Sequence, residues 1–297
     1  MSNWLVKENF SGTDIYEVAA KTILNPAKGF MSSYDFTLNP YRGCQYGCSY
    51  CYAAAFSPDR DLRQQWGDWV VIKQNAAQLL DRELARWQHK QPNNPPRIYL
   101  SSVTDPYQAI EVKTQLNRSL LEVMLVYQPT LVIQTRSPMI IRDRDLLAQF
   151  QRLRINLSIP TGSDRVRRDF ELRSPSIKAR LQTLKKLRYS LPTDVDHDIR
   201  LTVTMTPLLP TLPEDEADLF AQLAIADRIV LQDFHPQRGG GLQASTRDCA
   251  IAIKQKYAWW YDNPDSYPSF KQRLTDYLTA LGTSIEIMEG KAGFGYD

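Results

Sequence analysis

The sequence predicts an α/β protein built on a partial (β/α)6 barrel of TIM-like type, followed by a C-terminal cap. Three observations carry this expectation. Short apolar or β-branched runs recur along the middle of the chain, segments with helical spacing lie between them, and 297 residues suit a single α/β barrel.

Residues 1–30 precede the alternation and read as an N-terminal extension. The first strand is expected over Asp35–Tyr41. The next five are Arg97–Val103 (RIYLSSV), Leu131–Arg136 (LVIQTR), Arg154–Pro160 (RINLSIP), Arg200–Thr206 (RLTVTMT) and Arg228–Phe234 (RIVLQDF). Each is short and apolar enough for a parallel strand covered on both faces. Helices are expected over Ala76–Trp87, Thr114–Tyr127, Asp143–Gln151, Ser176–Tyr189 and Glu214–Ala224. Start signals precede two of them: Ser174-Pro175 before Ser176, and Pro213 before the acidic run Glu214-Asp215-Glu216. The barrel therefore spans residues 31–235 and the cap 236–297, with no internal repeat and no low-complexity segment.

Composition narrows the function classes. Hydrophobic content of 43% and charged content of 23% describe an ordinary globular chain. A net charge of +3 is too small to argue for nucleic acid by itself. No apolar run approaches the roughly 18 residues of a membrane span. The opening MSNWLVKENFSG lacks the basic and apolar regions of a signal peptide. A chain of this length buries about three quarters of its unfolded surface, so its core needs no disulfide staples. The expected location is cytoplasmic, with no membrane partner.

The four cysteines are unevenly placed. NPYRGCQYGCSYCYAAAF (39–56) holds Cys44, Cys48 and Cys51 at C-x3-C-x2-C spacing among tyrosines 41, 46, 50 and 52. A structural zinc site takes four ligands, usually as two pairs, and only Cys249, His89, His197 and His235 remain, all distant in sequence. A disulfide would use two of the three thiols and strand the third. An iron–sulfur cube held by three cysteines keeps one iron open, which is what a catalytic centre requires. Spacing alone favours the cluster and leaves zinc and an oxidised pair as alternatives.

The same stretch resembles the signature loop of the radical S-adenosylmethionine (SAM) superfamily, C-x3-C-x-aromatic-C, with Tyr50 in the aromatic position. More narrowly, the chain resembles the spore photoproduct lyase branch, the DNA-repair photolyase-like proteins. The further matching segments are VTDPYQAIE (103–111), TRSPMIIRD (135–143), NLSIPTGSDRVRRDFELRSPSIKARL (156–181) and TMTPLLP (204–210). The resemblance covers residues 35–235. It implies a [4Fe–4S] cluster on Cys44, Cys48 and Cys51, SAM on the open iron, and a 5′-deoxyadenosyl radical that takes a hydrogen atom from the substrate. It also implies an external one-electron donor of flavodoxin or ferredoxin type.

Carried over position by position, Arg136 stands where lyase relatives have a lysine facing the SAM carboxylate, and a guanidinium can bind that group with two hydrogen bonds. Thr104, with Asp105 beside it, matches the amino-acid end of SAM. Ser137 follows Arg136 on the same rim, Ser158 matches a ribose contact, and the backbone at Tyr50 meets the adenine edge. Tyr50 and Tyr52 match tyrosines that pass the radical onward. The lyase's hydrogen-donor cysteine is replaced by Ser102, leaving Cys249 as the candidate substitute. The cysteine loop, Thr104-Asp105, Arg136-Ser137 and Ser158 follow the C-terminal ends of the expected strands, where parallel barrels collect their chemistry, and Cys249 could join them only if the C-terminal segment folds over that rim.

The weaker features are a basic stretch, Asp164–Arg188, with nine basic and three acidic residues, a loop carrying His235 (233–241), and an aromatic stretch, KYAWWYDNP (256–264). Nucleic acid is thus one possible substrate, as part of lesion repair or modification. A non-catalytic zinc or iron–sulfur binding module is the alternative from another class.

Overall fold

The computed structural model describes residues 8–234 and 247–296, so the expected loop with His235 lies outside the described residues except for its first two positions. Twelve strands appear among these residues. They are β1 (Glu8–Phe10), β2 (Thr13–Val18), β3 (Leu24–Pro26), β4 (Phe36–Leu38), β5 (Tyr41–Arg42), β6 (Trp69–Lys73), β7 (Arg97–Leu100), β8 (Thr130–Thr135), β9 (Arg152–Ser158), β10 (Asp198–Met205), β11 (Arg228–Leu231) and β12 (Glu286–Glu289).

The six expected barrel strands are β4 and β7 to β11, side by side in chain order and each parallel to the next. Both faces are covered, yet only the helix-covered face is uniformly apolar, as the alternation in RLRINLS and RLTVTM shows. Leu131, Ile133, Leu153, Ile155, Leu157, Leu201 and Val203 join the helices in one large apolar layer. The alternate face carries Tyr99, Val132 and Val230, which pack with Tyr34 and Phe294. Polar side chains share this inner face: Tyr99 OH donates to Gln134 Oε1 at 2.9 Å, and Gln134 Nε2 donates to Thr204 Oγ1 at 3.0 Å.

Two edges of the sheet were not legible as strands. β3 adds antiparallel to β4, and β12 adds parallel to β11 from the C-terminal segment. The helix after β12, Gly290–Phe294, closes the inner face at the end where β9 begins. There Tyr34 OH donates to the Phe294 carbonyl at 2.6 Å and Arg154 Nη2 donates to the same oxygen at 3.0 Å.

The two helices with start signals follow them. Ser176 caps Ile177–Ser190 by accepting from Ala179 N, and Pro213 opens Pro213–Leu223 with three acidic residues in its first turn. The expected helix at 114–127 is found as Leu116–Tyr127, its start set by Gln115, whose φ of +45° separates it from the short helix Glu111–Thr114. Of the helix expected at 143–151 only Arg144–Leu147 is α-helical. The buried Asp143 before it makes no cap bond, and its carboxylate accepts instead from Arg142 at 2.8 Å and from Arg118 at 3.2 Å.

A second sheet of order β1-β2-β6-β5 flanks the barrel. It divides the expected strand at 35–41, whose last residue leaves the barrel and pairs in β5 with β6 (Tyr41↔Ile72, Arg42↔Val71). The residues between β5 and β6, which include all three crowded cysteines, are thereby closed into a loop at its base.

Gly293 lies flat on β11, where an added Cβ would sit 2.4 Å from Val230 Cγ1. Gly293→Ala is expected to lower stability by about 1–3 kcal/mol through overpacking, read as a lower denaturation midpoint. An unchanged midpoint would contradict this packing.

Candidate functional site

The cysteine loop depends on one close backbone approach. Gly47 (φ +56°) crosses Gly67 (φ +112°) so closely that a Cβ on Gly67 would lie 2.9 Å from the Gly47 Cα. Only glycine permits both the contact and the left-handed backbone. Polar anchors then fix the loop against the segment after β7. Gln45 N donates to Gln108 Oε1 at 2.8 Å, Ile110 N donates to Gln45 Oε1 at 2.6 Å, and Tyr46 OH donates to the Tyr107 carbonyl at 3.1 Å.

Cys44 and Cys48 are buried and Cys51 is half-buried, and all three are free thiols. They share an apolar cluster with Tyr46, Tyr50, Trp66, Trp69 and Phe170. Burial raises all three thiols above the ordinary cysteine range, Cys48 to about 12, with Arg136 opposing the rise there. Such thiols ionise when a metal takes the proton's place. The donor set, three free thiols from one short loop, fits an iron–sulfur cluster. Among the described residues no three His, Cys, Asp or Glu side chains converge into a metal-holding group. The space beside Cys48 is taken by Arg136, whose Nη1 stands 3.0 Å from the sulfur.

Arg136 begins a buried network. The same Nη1 lies 3.2 Å from Tyr50 OH, and the guanidinium pairs with Glu171. Glu171 is fully buried and also accepts from Tyr50 OH and Arg180. Burial pushes its carboxyl up, but Arg136, Arg180 and Tyr50 together reverse this and hold it at about 2. Arg180 in turn donates to the Ser158 carbonyl at 3.1 Å, which brings the end of β9 into the network.

The remaining sequence-derived residues lie along the same rim. Thr104 Oγ1 donates to the Gly43 carbonyl at 2.6 Å and so braces the cysteine loop. The Asp105 carboxylate accepts from Thr135 Oγ1 at 2.7 Å and from Arg136 N at 2.9 Å, tying the end of β7 to that of β8. Ser137 Oγ accepts from Met139 N at 3.3 Å and caps the turn that follows. Tyr52 OH donates to the carbonyl of Ser102, and Ser102 Oγ accepts from Asn39 Nδ2 at 3.4 Å. The Tyr52 ring, 43% exposed, lies edge-on to Phe56. Cys249 is exposed, its Sγ 3.6 Å from the Ser49 carbonyl.

Sequence reasoning missed Glu171 and Arg180, although both lie in the segment 156–181 singled out above. The signal was there: Glu171 is one of only three acidic residues among nine basic ones between 164 and 188. Two of those acids serve basic residues of the same stretch, while Asp169 pairs with Lys256. Arg167 and Arg168 pair with Asp164 and Arg180 with Glu171, while Arg173 and Arg188 reach Asp68 and Asp227. Of these, Arg167 and Arg180 are buried, while the pairs of Arg168 and Arg173 lie on the exposed surface.

Residues 38–224 match the family model described as the Radical SAM superfamily. Over 271 residues the chain is 28% identical to the uncharacterized protein MJ0683 of Methanocaldococcus jannaschii, covering 91% of this chain and 94% of that one. It is also 28% identical over 296 residues to the uncharacterized protein Mb2609c of Mycobacterium bovis, covering 92% and 81%. Among solved structures, spore photoproduct lyase complexed with dinucleoside spore photoproduct superposes with a TM-score of 0.62 at 14% identity, covering 92% of this chain and 81% of that one. Streptococcus suis SuiB bound to S-adenosylmethionine gives 0.51 at 13% identity, covering 85% and 49%. These likenesses show the fold.

Glu171→Gln leaves two guanidiniums without their shared carboxylate. The expected loss of stability is about 3–5 kcal/mol, the range for breaking a buried pair, measured by chemical denaturation. A loss below about 1 kcal/mol, as at exposed pairs, would contradict the network.

Proposed function

This chain belongs to the radical SAM superfamily, and on that premise we propose that it reductively cleaves SAM and abstracts a hydrogen atom from a substrate other than spore photoproduct. The observation that carries this reading is the loop itself, with three free thiols fixed on the rim of a parallel barrel inside the family match. When bound, the cluster and SAM supply one-electron cleavage of the sulfonium–C5′ bond, giving methionine and a 5′-deoxyadenosyl radical that accepts a hydrogen atom.

The chain's own residues divide into holders and positioners. Cys44, Cys48 and Cys51 would hold the cluster. Arg136 offers the positive charge for the SAM carboxylate, with Glu171 and Asp105 fixing its side chain and backbone. Thr104 acts through the loop it braces, Ser137 shapes the turn beside Arg136, and Ser158 serves the ribose side. Tyr50 and Tyr52 flank Cys51, with their hydroxyls on Glu171 and on the Ser102 carbonyl. The SAM contacts of Arg136 and Ser158, an external electron carrier of flavodoxin or ferredoxin type, and the tyrosines' role in passing a radical all come from the family resemblance.

Ser102 argues against efficient lesion repair. Its O–H bond is too strong to give a hydrogen atom to a carbon radical at a useful rate, and the neighbouring Tyr52 hydroxyl is engaged by the Ser102 carbonyl. Cys249 is the one thiol outside the cluster set, and it is exposed against Ser49. The substrate therefore differs from that lesion, or quenching follows another route.

Cys44→Ala, Cys48→Ala and Cys51→Ala are each expected to abolish iron binding after anaerobic reconstitution, with Cys249→Ala near wild type. Iron lost on removing Cys249 would refute the three-ligand site, and a colourless wild-type protein with one zinc would favour the binding module. The reduced protein should form 5′-deoxyadenosine and methionine from SAM. In Arg136→Ala SAM binding should weaken by about 1.5–3 kcal/mol, the value of hydrogen bonds to charged groups, measured by titration. Unchanged affinity would make Arg136 structural only. Incubated with SAM, reductant and the dinucleoside lesion, the wild type should not restore thymine catalytically. Many turnovers per enzyme would return the protein to the repair class.

A further inference from the structure

The outer side of the cysteine loop is covered by a segment beyond the family match. Arg247 precedes the helix Asp248–Gln255 and reaches back to the loop, with Nη1 donating to the carbonyls of Gly47 (3.2 Å) and Cys48 (3.4 Å). Its Nη2 donates to the carbonyl of Gln64 at 3.2 Å. One planar guanidinium thus spans both limbs of the loop close to the Gly47–Gly67 crossing. Such a fork holds several acceptors at fixed separation, which a single ammonium does not.

The contact continues along the segment. Ala250 and Tyr257 are buried in the same apolar cluster as Cys44, Cys48 and Tyr50. Tyr257 OH donates to Asp169 at 2.7 Å and Lys256 Nζ stands 3.2 Å from the same carboxylate, anchoring the segment to the helix Asp164–Phe170. Phe170 in that helix packs on Tyr257 and accepts, through its carbonyl, a bond from Ser49 N at 2.9 Å. The loop is therefore clamped from outside at Gly47, Cys48 and Ser49, the stretch that carries the second thiol.

We propose that Arg247 is a positioning residue of the cluster site, fixing the Gly47–Cys48 backbone and placing a positive charge beside the loop, so that residues 247–257 complete the site. The inference rests on reading the loop as the cluster site. Two effects separate from one another. The fork holds the cysteine backbone and so governs how tightly iron is retained. The charge favours the reduced cluster and so raises its reduction potential.

The test uses full-length protein reconstituted anaerobically with iron and sulfide, comparing wild type, Arg247→Met and Arg247→Lys. Iron loss to a chelator should be about tenfold faster or more in Arg247→Met, the cost of losing an outer support of a metal ligand. The reduction potential, read by an EPR-monitored titration, should shift negative in Arg247→Met and return toward wild type in Arg247→Lys, whose iron loss should stay fast. Wild-type potential and iron retention in Arg247→Met would overturn the inference while leaving the cluster reading intact. A wild type that takes up no iron would overturn both. If Arg247→Met does not fold, hydrogen exchange of the wild type decides: greater protection of 248–257 on cluster loading supports the inference, and no change overturns it.

Discussion

The rim of this barrel is organised around one buried carboxylate. Glu171 accepts from Arg136, Arg180 and Tyr50, and these come from the end of β8, the helix Ile177–Ser190 and the cysteine loop. A fully buried carboxylate persists as an anion only where cations and donors replace its water, and here two guanidiniums and a phenol do so. The consequence is geometric. Groups from three separate parts of the chain must meet at one point, so the loop with its thiols is held in register with the strand ends.

How much of this was legible follows from where the information lies. The six central strands could be read because each is a short stretch of apolar and β-branched residues on the helix-covered face, as in LVIQT. The helices starting near Ser176 and Pro213 could be read because their caps are local. β5 and β12 could not. β5 is two residues long and exists through pairing with β6, while EIME in β12 shows no apolar alternation and is held by β11. The break at Gln115 is likewise set by tertiary structure, since Glu111 just before it is buried and bonded to Tyr41, Asn117 N and Arg142.

The site divides in the same way. Three thiols at fixed spacing are a local pattern and were visible in the sequence. Glu171 and Arg180 are ordinary charges in a charged stretch until the fold brings the loop onto them. Thr104 and Asp105 were found by position, but their observed bonds run to Gly43, Thr135 and Arg136. Their contribution to a bound cofactor is thus through the shape of the rim. The C-terminal segment gave only an aromatic patch, although Tyr257 packs on Phe170 and Arg247 bonds the loop carbonyls.

The chemistry assigned to this arrangement requires a cluster whose fourth iron is free of protein ligands and meets SAM. EPR of the anaerobically reconstituted, dithionite-reduced wild type, recorded before and after SAM is added, tests that requirement most directly. The account predicts a reduced [4Fe–4S] signal whose g-values change when SAM binds. A reduced cluster whose spectrum is indifferent to saturating SAM, or a protein that assembles no cluster, would contradict it.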